Sequence, residues 1–216
     1  MIEQFEKSEY RRKLINTITR YLKDIKDPNI LEFGVRKGIS TGFFLELCKK
    51  NNGKLFSVDI DDYSNLFKDE NWIFIKSRDD NIQYIEKFLP KELDVVHIDS
   101  LHEAKHVAKI FYLYYSRIKT GGFLLIDDIS CLPYLKNKEK NSLGNEIANQ
   151  ETFDIILDIY SANNENFELD FSFLDSGFAI IKKLNSNRLN KKNNNKYRKY
   201  SVINLIRKID KIFKKS

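Results

Sequence analysis

Three acidic side chains close apolar runs in a way that suggests chemistry. Asp99 ends LDVVHID, and Asp127 and Asp128 end GFLLIDD. Ligands of open α/β sheets bind beyond the carboxyl ends of the strands, so the three carboxylates are expected to converge on one crevice. Crowded carboxylates raise one another's pKa unless a cation neutralises them. All-oxygen ligation suits a hard ion, with Mg2+ the first choice and Mn2+ or Ca2+ next. Three residues past Asp99, His102 offers an imidazole that can take a proton near neutral pH. The competing structural reading makes Asp127 and Asp128 turn or cap residues and His102 a surface residue at a helix start. His97 lies inside an apolar strand; it reads as a packed core residue and is given no role.

A second constellation lies earlier in the chain, in Glu32-Phe33-Gly34-Val35-Arg36-Lys37-Gly38-Ile39-Ser40. Gly34 just past a strand lets the backbone turn and approach a ligand without a Cβ in the way. Gly38, with Ser40 near the helix start, leaves N–H groups facing that ligand. The dinucleotide fingerprint fails because position 36 is Arg, and the P-loop fails because Ile39 follows Gly38. A pyrophosphate or triphosphate is therefore disfavoured. Asp59 ends a second strand, where an acid accepts from ribose hydroxyls. Ser77 and Arg78 end a third, where an adenine edge would lie. An adenosine without phosphate suits this set.

The elements that must position these residues alternate. Candidate strands are Asn29–Phe33, Lys54–Asp59, Trp72–Lys76, Leu93–Asp99 and Gly122–Asp127. Amphipathic stretches between them (Ser40–Lys50, Ser64–Glu70, Asp79–Leu89 and His102–Lys119) read as crossover helices. Tyr10–Ile25 has helical spacing and ends at Asp27-Pro28. After the fifth strand come a polar connection, Ile129–Asn145, a helix near Glu146–Ser161, and FELDFSFL and GFAIIKKL joined as a hairpin through Asp175-Ser176-Gly177. The expected fold is α/β: a doubly wound, Rossmann-like, mostly parallel seven-stranded sheet with a C-terminal antiparallel hairpin.

Composition bounds the function. The 216 residues are 42% hydrophobic and 13% aromatic, enough to fill a core. No apolar run reaches the roughly 20 residues of a membrane span, and Met1 is not followed by a signal segment. Two cysteines, Cys48 and Cys131, point to a reduced, cytoplasmic setting. The net charge is +6, but from Ser186 onward 11 Lys/Arg face one acid, so the first 185 residues carry a net −4. The excess positive charge belongs to an appendage. Residues 1–185 read as one domain, with 1–28 a helical cap, 186–198 an Asn/Lys-rich linker and 199–216 a basic amphipathic helix.

With these motifs in place, the chain resembles the class I S-adenosylmethionine-dependent methyltransferases over Asn29 to Leu184. The residues that carry the likeness are Glu-x-Gly-x-x-x-Gly-x-Ser, VDID, and IDSLH followed by GGFLLIDD. It is most similar to the branch with catechol-type and macrolide-sugar O-methyltransferases. The resemblance implies Glu32 and Gly34 beside the methionine moiety, Asp59 at the ribose, and Ser77 and Arg78 at the adenine. It further implies Asp99, Asp127 and Asp128 as metal ligands and His102 as general base. A metal-bound hydroxyl has a lowered pKa and a fixed oxygen, which suits in-line methyl transfer. Ala104 and Ile110 depart from that branch on the acceptor side.

The expected activity is thus O-methylation of a sugar or other small hydroxylated acceptor, with S-adenosylmethionine and Mg2+. The acceptor pocket is expected to use the N-terminal helix and Ile129–Asn145. Metal-independent or hydroxylase-like chemistry, and a non-catalytic cofactor-binding module at a membrane, are the alternatives. His102-Glu103-Ala104-Lys105-His106 matches the zinc-protease pattern H-E-x-x-H, but no third ligand follows in the usual place. The tail suits an anionic membrane surface, a second copy of the chain, or its own core; few aromatics argue against specific nucleic-acid binding.

Overall fold

The computed structural model describes residues 8–130, 143–191 and 202–213. The strands are β1 (Asn29–Phe33), β2 (Lys54–Asp59), β3 (Trp72–Lys76), β4 (Leu93–Ile98), β5 (Ile118–Asp127), β6 (Phe167–Ser172) and β7 (Phe178–Lys183). The helices are α1 (Glu9–Leu22), α2 (Ile39–Lys50), α3 (Ile82–Ile85), α4 (Ala104–Tyr114), α5 (Leu143–Asn163) and α6 (Val202–Phe213). All seven strands form one sheet, in the order β3-β2-β1-β4-β5-β7-β6. The first five are parallel, and β7 runs antiparallel between β5 and β6. This is the expected Rossmann-like sheet with its C-terminal hairpin.

Successive residues of the central strands point to opposite faces, and each face builds a core. Ile30, Val95 and Leu125 pack with Leu14, Ile18 and Phe44 of α1 and α2. Leu31, Val96 and Leu124 pack with Val107, Ile110 and Ile156 of α4 and α5. In α1, Leu14, Ile18 and Leu22 recur every four residues and are completely buried. Ser8 caps the helix, its hydroxyl accepting from the Arg11 N–H. Each such apolar side chain contributes about 1.5–3 kcal/mol, which docks α1 firmly on the sheet.

Three expected elements differ. Ser64–Glu70 forms turns rather than a helix, because Leu66 and Phe67 fold onto the core on the α1 and α2 side and Phe67 packs edge-on against Trp72 at 5.3 Å. Asp79–Leu89 keeps one helical turn, α3, flanked by turns. His102–Lys119 divides into α4, a 3-10 turn at Tyr115–Arg117 and the start of β5, which begins at Ile118 rather than Gly122. A register shift between Leu93 and Val95 lets β5 pair in two segments.

Residues 131–142, most of the polar connection, lie outside the described residues, as do Cys131 and 192–201 of the linker region. Among the described residues no helix is long and apolar enough to cross a membrane. The register sets the rim: Phe33 pairs with Ile98 and Ile98 with Ile126, so Gly34, Asp99 and Asp127 emerge side by side.

Candidate functional site

That rim opens into a cavity of about 810 Å3, lined among others by Gly34, Ser40, Asp59, Ser77, Arg78, Asp99, His102 and Asp128. Most of the expected cofactor and acceptor residues therefore share one hollow, sized for a small ligand. Tyr10 lines it too, so the N-terminal helix reaches the site as expected.

Gly34 has φ +93°, and a Cβ there would collide with the Asp99 carbonyl oxygen. Only glycine lets the β1 turn and the β4 end close at this point. Asp59 accepts from the Val35 N–H at 2.7 Å and the Asp61 N–H at 3.1 Å, so its carboxylate also pins the loop that bears Gly34.

Glu32, Gly38 and Asp127 do not line the cavity. Glu32 is completely buried; its Oε2 accepts from the Thr41 hydroxyl at 2.7 Å and the Ser57 hydroxyl at 2.8 Å. Burial pushes its pKa up to about 7 against the pull of the Ser40, Thr41 and Ser57 hydroxyls. His97 is buried as expected, and desolvation lowers its pKa to about 4.

The acids Asp99, Asp127 and Asp128 do gather. Tyr10 Oη lies 2.8 Å from Asp99 Oδ2 and 2.6 Å from Asp127 Oδ2. Burial, then the charges of Asp127 and Asp128, push the Asp99 carboxyl well above its ordinary range. Burial is the largest single influence on Asp127 and opposes its ionisation, but the charges of Lys13 and His97 together with hydrogen bonds from Lys13 and Tyr10 hold that carboxyl below its ordinary value. A phenol has one proton, so Tyr10 Oη can donate to only one of these two carboxyl groups at a time. Burial and the charge of Asp127 raise Asp128, whose backbone takes a left-handed φ of +57°. His102 Nδ1 stands 3.3 Å from Asp128 Oδ2, and Nε2 is 3.7 Å from Asp99 Oδ1.

Of the three expected carboxylate ligands, Asp127 is the one already engaged by a cation. An ionised carboxylate has about four acceptor positions. On Asp127, Oδ1 accepts from Lys13 Nζ, the Asp128 N–H at 2.7 Å and the Ser176 hydroxyl at 3.1 Å, and Oδ2 accepts from the Tyr10 hydroxyl. Single ligand atoms of Asp99, His102 and Asp128 lie within 4.8 Å of one another, as do those of His97, Asp99 and Asp127.

Sequence reasoning missed Lys13, Ser176, Asp79 and His106. His106 Nε2 lies 2.7 Å from Asp79 Oδ2, which also accepts from Ser100. The H-E-x-x-H histidines thus face different carboxylates, and His102 precedes α4 rather than sharing its face with His106. Both belong to the cavity wall.

Residues 31–129 match a family model described as a methyltransferase domain. No curated protein sequence matches the chain. Among solved structures, MycE methyltransferase of the mycinamycin biosynthetic pathway, in complex with Mg and S-adenosylhomocysteine, aligns with a TM-score of 0.61 and 19% identity over 80% of this chain. The chain spans only about 50% of the length of MycE. A Staphylococcus aureus protein, provisionally described as a caffeoyl-CoA O-methyltransferase, aligns with a TM-score of 0.58 and 19% identity, over 79% of this chain and 81% of that one. A Clostridium thermocellum protein, provisionally described as an rRNA methylase, aligns with a TM-score of 0.57 and 14% identity over 80% and 97%. Substrates so different on one architecture mean that the fold does not choose the acceptor. The chain has the class I S-adenosylmethionine-dependent methyltransferase fold shared by these structures, and its residues 31–129 match the methyltransferase-domain model.

Proposed function

We propose that the protein transfers the methyl group of S-adenosylmethionine to a hydroxyl of a sugar or other small hydroxylated acceptor. One observation carries this reading: Gly34, Asp59, Ser77 and Arg78 share a single cavity with His102, Asp99 and Asp128. The first group suits an adenosine and its sulfonium side chain; the second lies where the acceptor oxygen must approach. An acceptor oxygen attacks the methyl carbon in line, the C–S electrons return to sulfur, and the hydroxyl proton must leave.

His102 takes that proton in this reading. The carboxylate of Asp128 beside Nδ1 favours the tautomer protonated there, which leaves the Nε2 lone pair free. The 3.7 Å gap from Nε2 to Asp99 is too long for a hydrogen bond, so this nitrogen is open to the acceptor. A second reading, metal-assisted transfer, is supported by the proximity of Asp99, His102 and Asp128 and by the Mg in MycE. It would make His102 a ligand rather than the base.

Calorimetry with S-adenosylmethionine, followed by transfer of labelled methyl to a panel of sugars and catechols, tests the reading. Binding and an alkali-stable methyl ether are expected. His102→Gln should lower kcat by about 10²–10⁴-fold with cofactor affinity unchanged. Absence of cofactor binding would overturn the assignment.

A further inference from the structure

We propose that Lys13 is the resident cation of the acidic cluster. Its ammonium, carried in on α1, takes the charge-neutralising place that a divalent ion would hold, and Asp127 thereby anchors the N-terminal helix instead of ligating metal.

Lys13 is 2% exposed, on the same buried face of α1 as Leu14, Thr17 and Ile18. A lysine in that position persists only with partners for its charge. Its Nζ pairs with Asp127 Oδ1 and donates to Ser176 Oγ at 2.7 Å. The remaining N–H faces the rings of Tyr10 and Phe178, whose centroids lie 4.6 and 4.2 Å away. Three separate parts of the chain are joined at this ammonium: α1, the end of β5 and the β6–β7 turn.

From the other side of the pair, Asp127 Oδ1 accepts from Lys13, the Asp128 N–H and Ser176, while Oδ2 accepts from Tyr10. An ion at Oδ1 would have to expel a donor and sit beside an ammonium, and one at Oδ2 would share its oxygen with Tyr10 on a carboxylate that Lys13 already neutralises. Mg2+ demands near-octahedral oxygens at about 2.1 Å, which the Lys13 contact does not leave room for at Oδ1. The Lys13–Asp127 pair also fixes Tyr10, one helical turn away, where its hydroxyl bridges Asp99 and Asp127 at the cavity wall. In an α1 so held, the helix is a fixed roof on the acceptor side.

Because the identity of the cavity rests on the methyltransferase reading, the test measures metal and cofactor separately. Full-length wild type, Lys13→Met, Asp127→Asn and the Lys13→Met/Asp127→Asn double variant are titrated with Mn2+, followed by calorimetry and by the electron spin resonance of free Mn2+. S-adenosylmethionine is titrated into the same samples with and without EDTA. Wild type should bind no Mn2+ below millimolar concentration, with cofactor affinity unchanged by EDTA. Lys13→Met should gain Mn2+ affinity by about tenfold or more, because a like charge has left the site, and the double variant should lose the gain. Submillimolar Mn2+ binding by wild type that Asp127→Asn abolishes would overturn the proposal, as would a folded Lys13→Met with no gain. Should Lys13→Met fail to fold, wild type against Asp127→Asn decides. Failure of wild type to bind S-adenosylmethionine would strike the methyltransferase reading and leave the Mn2+ result to stand on its own.

Discussion

Glu32 Oε1 and His97 Nδ1 face each other at 4.0 Å across neighbouring strands, in register and completely buried. Neither atom has a hydrogen-bond partner among the described residues. Burial raises Glu32 to about 7 and lowers His97 to about 4, so both are neutral between those values. The two form a neutral couple rather than an ion pair, in a site where one internal water would satisfy the free atoms.

The couple predicts a compensated pH profile. The folded pKa of Glu32 lies above its ordinary 4.5, so its cost to stability is absent below 4.5 and grows as pH rises to about 7. The folded pKa of His97 lies below its ordinary 6.5, so its cost is present at about pH 4 and disappears as pH rises through 6.5. Between 4.5 and 6.5 the two slopes oppose each other. Glu32→Gln removes one of them, and its stability relative to wild type should then rise with pH across that window, by up to about 3 kcal/mol. Urea unfolding of both proteins at a series of pH values measures the difference; parallel curves would contradict the neutral couple.

The Gly34 turn predicts a loss of both stability and binding. Alanine there must adopt φ near +93° and place its Cβ against the Asp99 carbonyl oxygen. Strain of this kind costs about 1–3 kcal/mol, and relief requires β1 and β4 to part at the cavity floor. Gly34→Ala should therefore lower the unfolding midpoint and weaken S-adenosylmethionine binding together. Weakened binding at unchanged stability would place the effect in ligand contact alone.

Much of this arrangement is legible in the sequence, and the parts that are not have a common cause. The strands ending at Phe33, Asp59, Lys76 and Asp127 stand out because buried parallel strands are continuous apolar runs, and a sheet of this type brings their carboxyl ends to one rim. Asp99, Asp127 and Asp128 converge for that reason. Lys13 does not stand out: a lysine on an amphipathic helix looks like a solvated residue, and its partner is 114 positions away. The one signal is its place beside Leu14 and four residues before Thr17, on the buried stripe. Ser64–Glu70 misleads in the opposite direction, since it reads as an amphipathic stretch while its Leu66 and Phe67 serve a core contact in a turn.

The Lys13–Asp127 pair also carries a stability prediction distinct from metal binding. Both side chains are within 1% of complete burial. Removing the ammonium leaves a buried carboxylate unpaired, and Lys13→Met should cost about 3–5 kcal/mol. Replacing both partners removes the stranded charge, so Lys13→Met combined with Asp127→Leu should recover a large part of that loss. A double-mutant cycle by urea unfolding measures the coupling. Additive effects of the two changes would show that the pair contributes nothing as a pair.

The last prediction concerns α6. Val202, Ile203 and Ile206 are 71%, 63% and 58% exposed, an unusual concentration of apolar surface on one short helix. The sequence of the helix places Val202, Ile206, Ile209 and Phe213 on one side and Arg207, Lys208 and Lys211 on the other. Such a helix lies in a lipid interface with its apolar side down, and each cation near an anionic surface adds about 1 kcal/mol. The full-length protein should co-sediment with phosphatidylglycerol vesicles, weakly with phosphatidylcholine, and less as salt rises. Val202→Glu with Ile206→Glu should release it while leaving S-adenosylmethionine binding intact, because neither Val202 nor Ile206 lines the cavity. Equal sedimentation with both lipids, or by the double variant, would mean that the exposed apolar side chains serve another purpose.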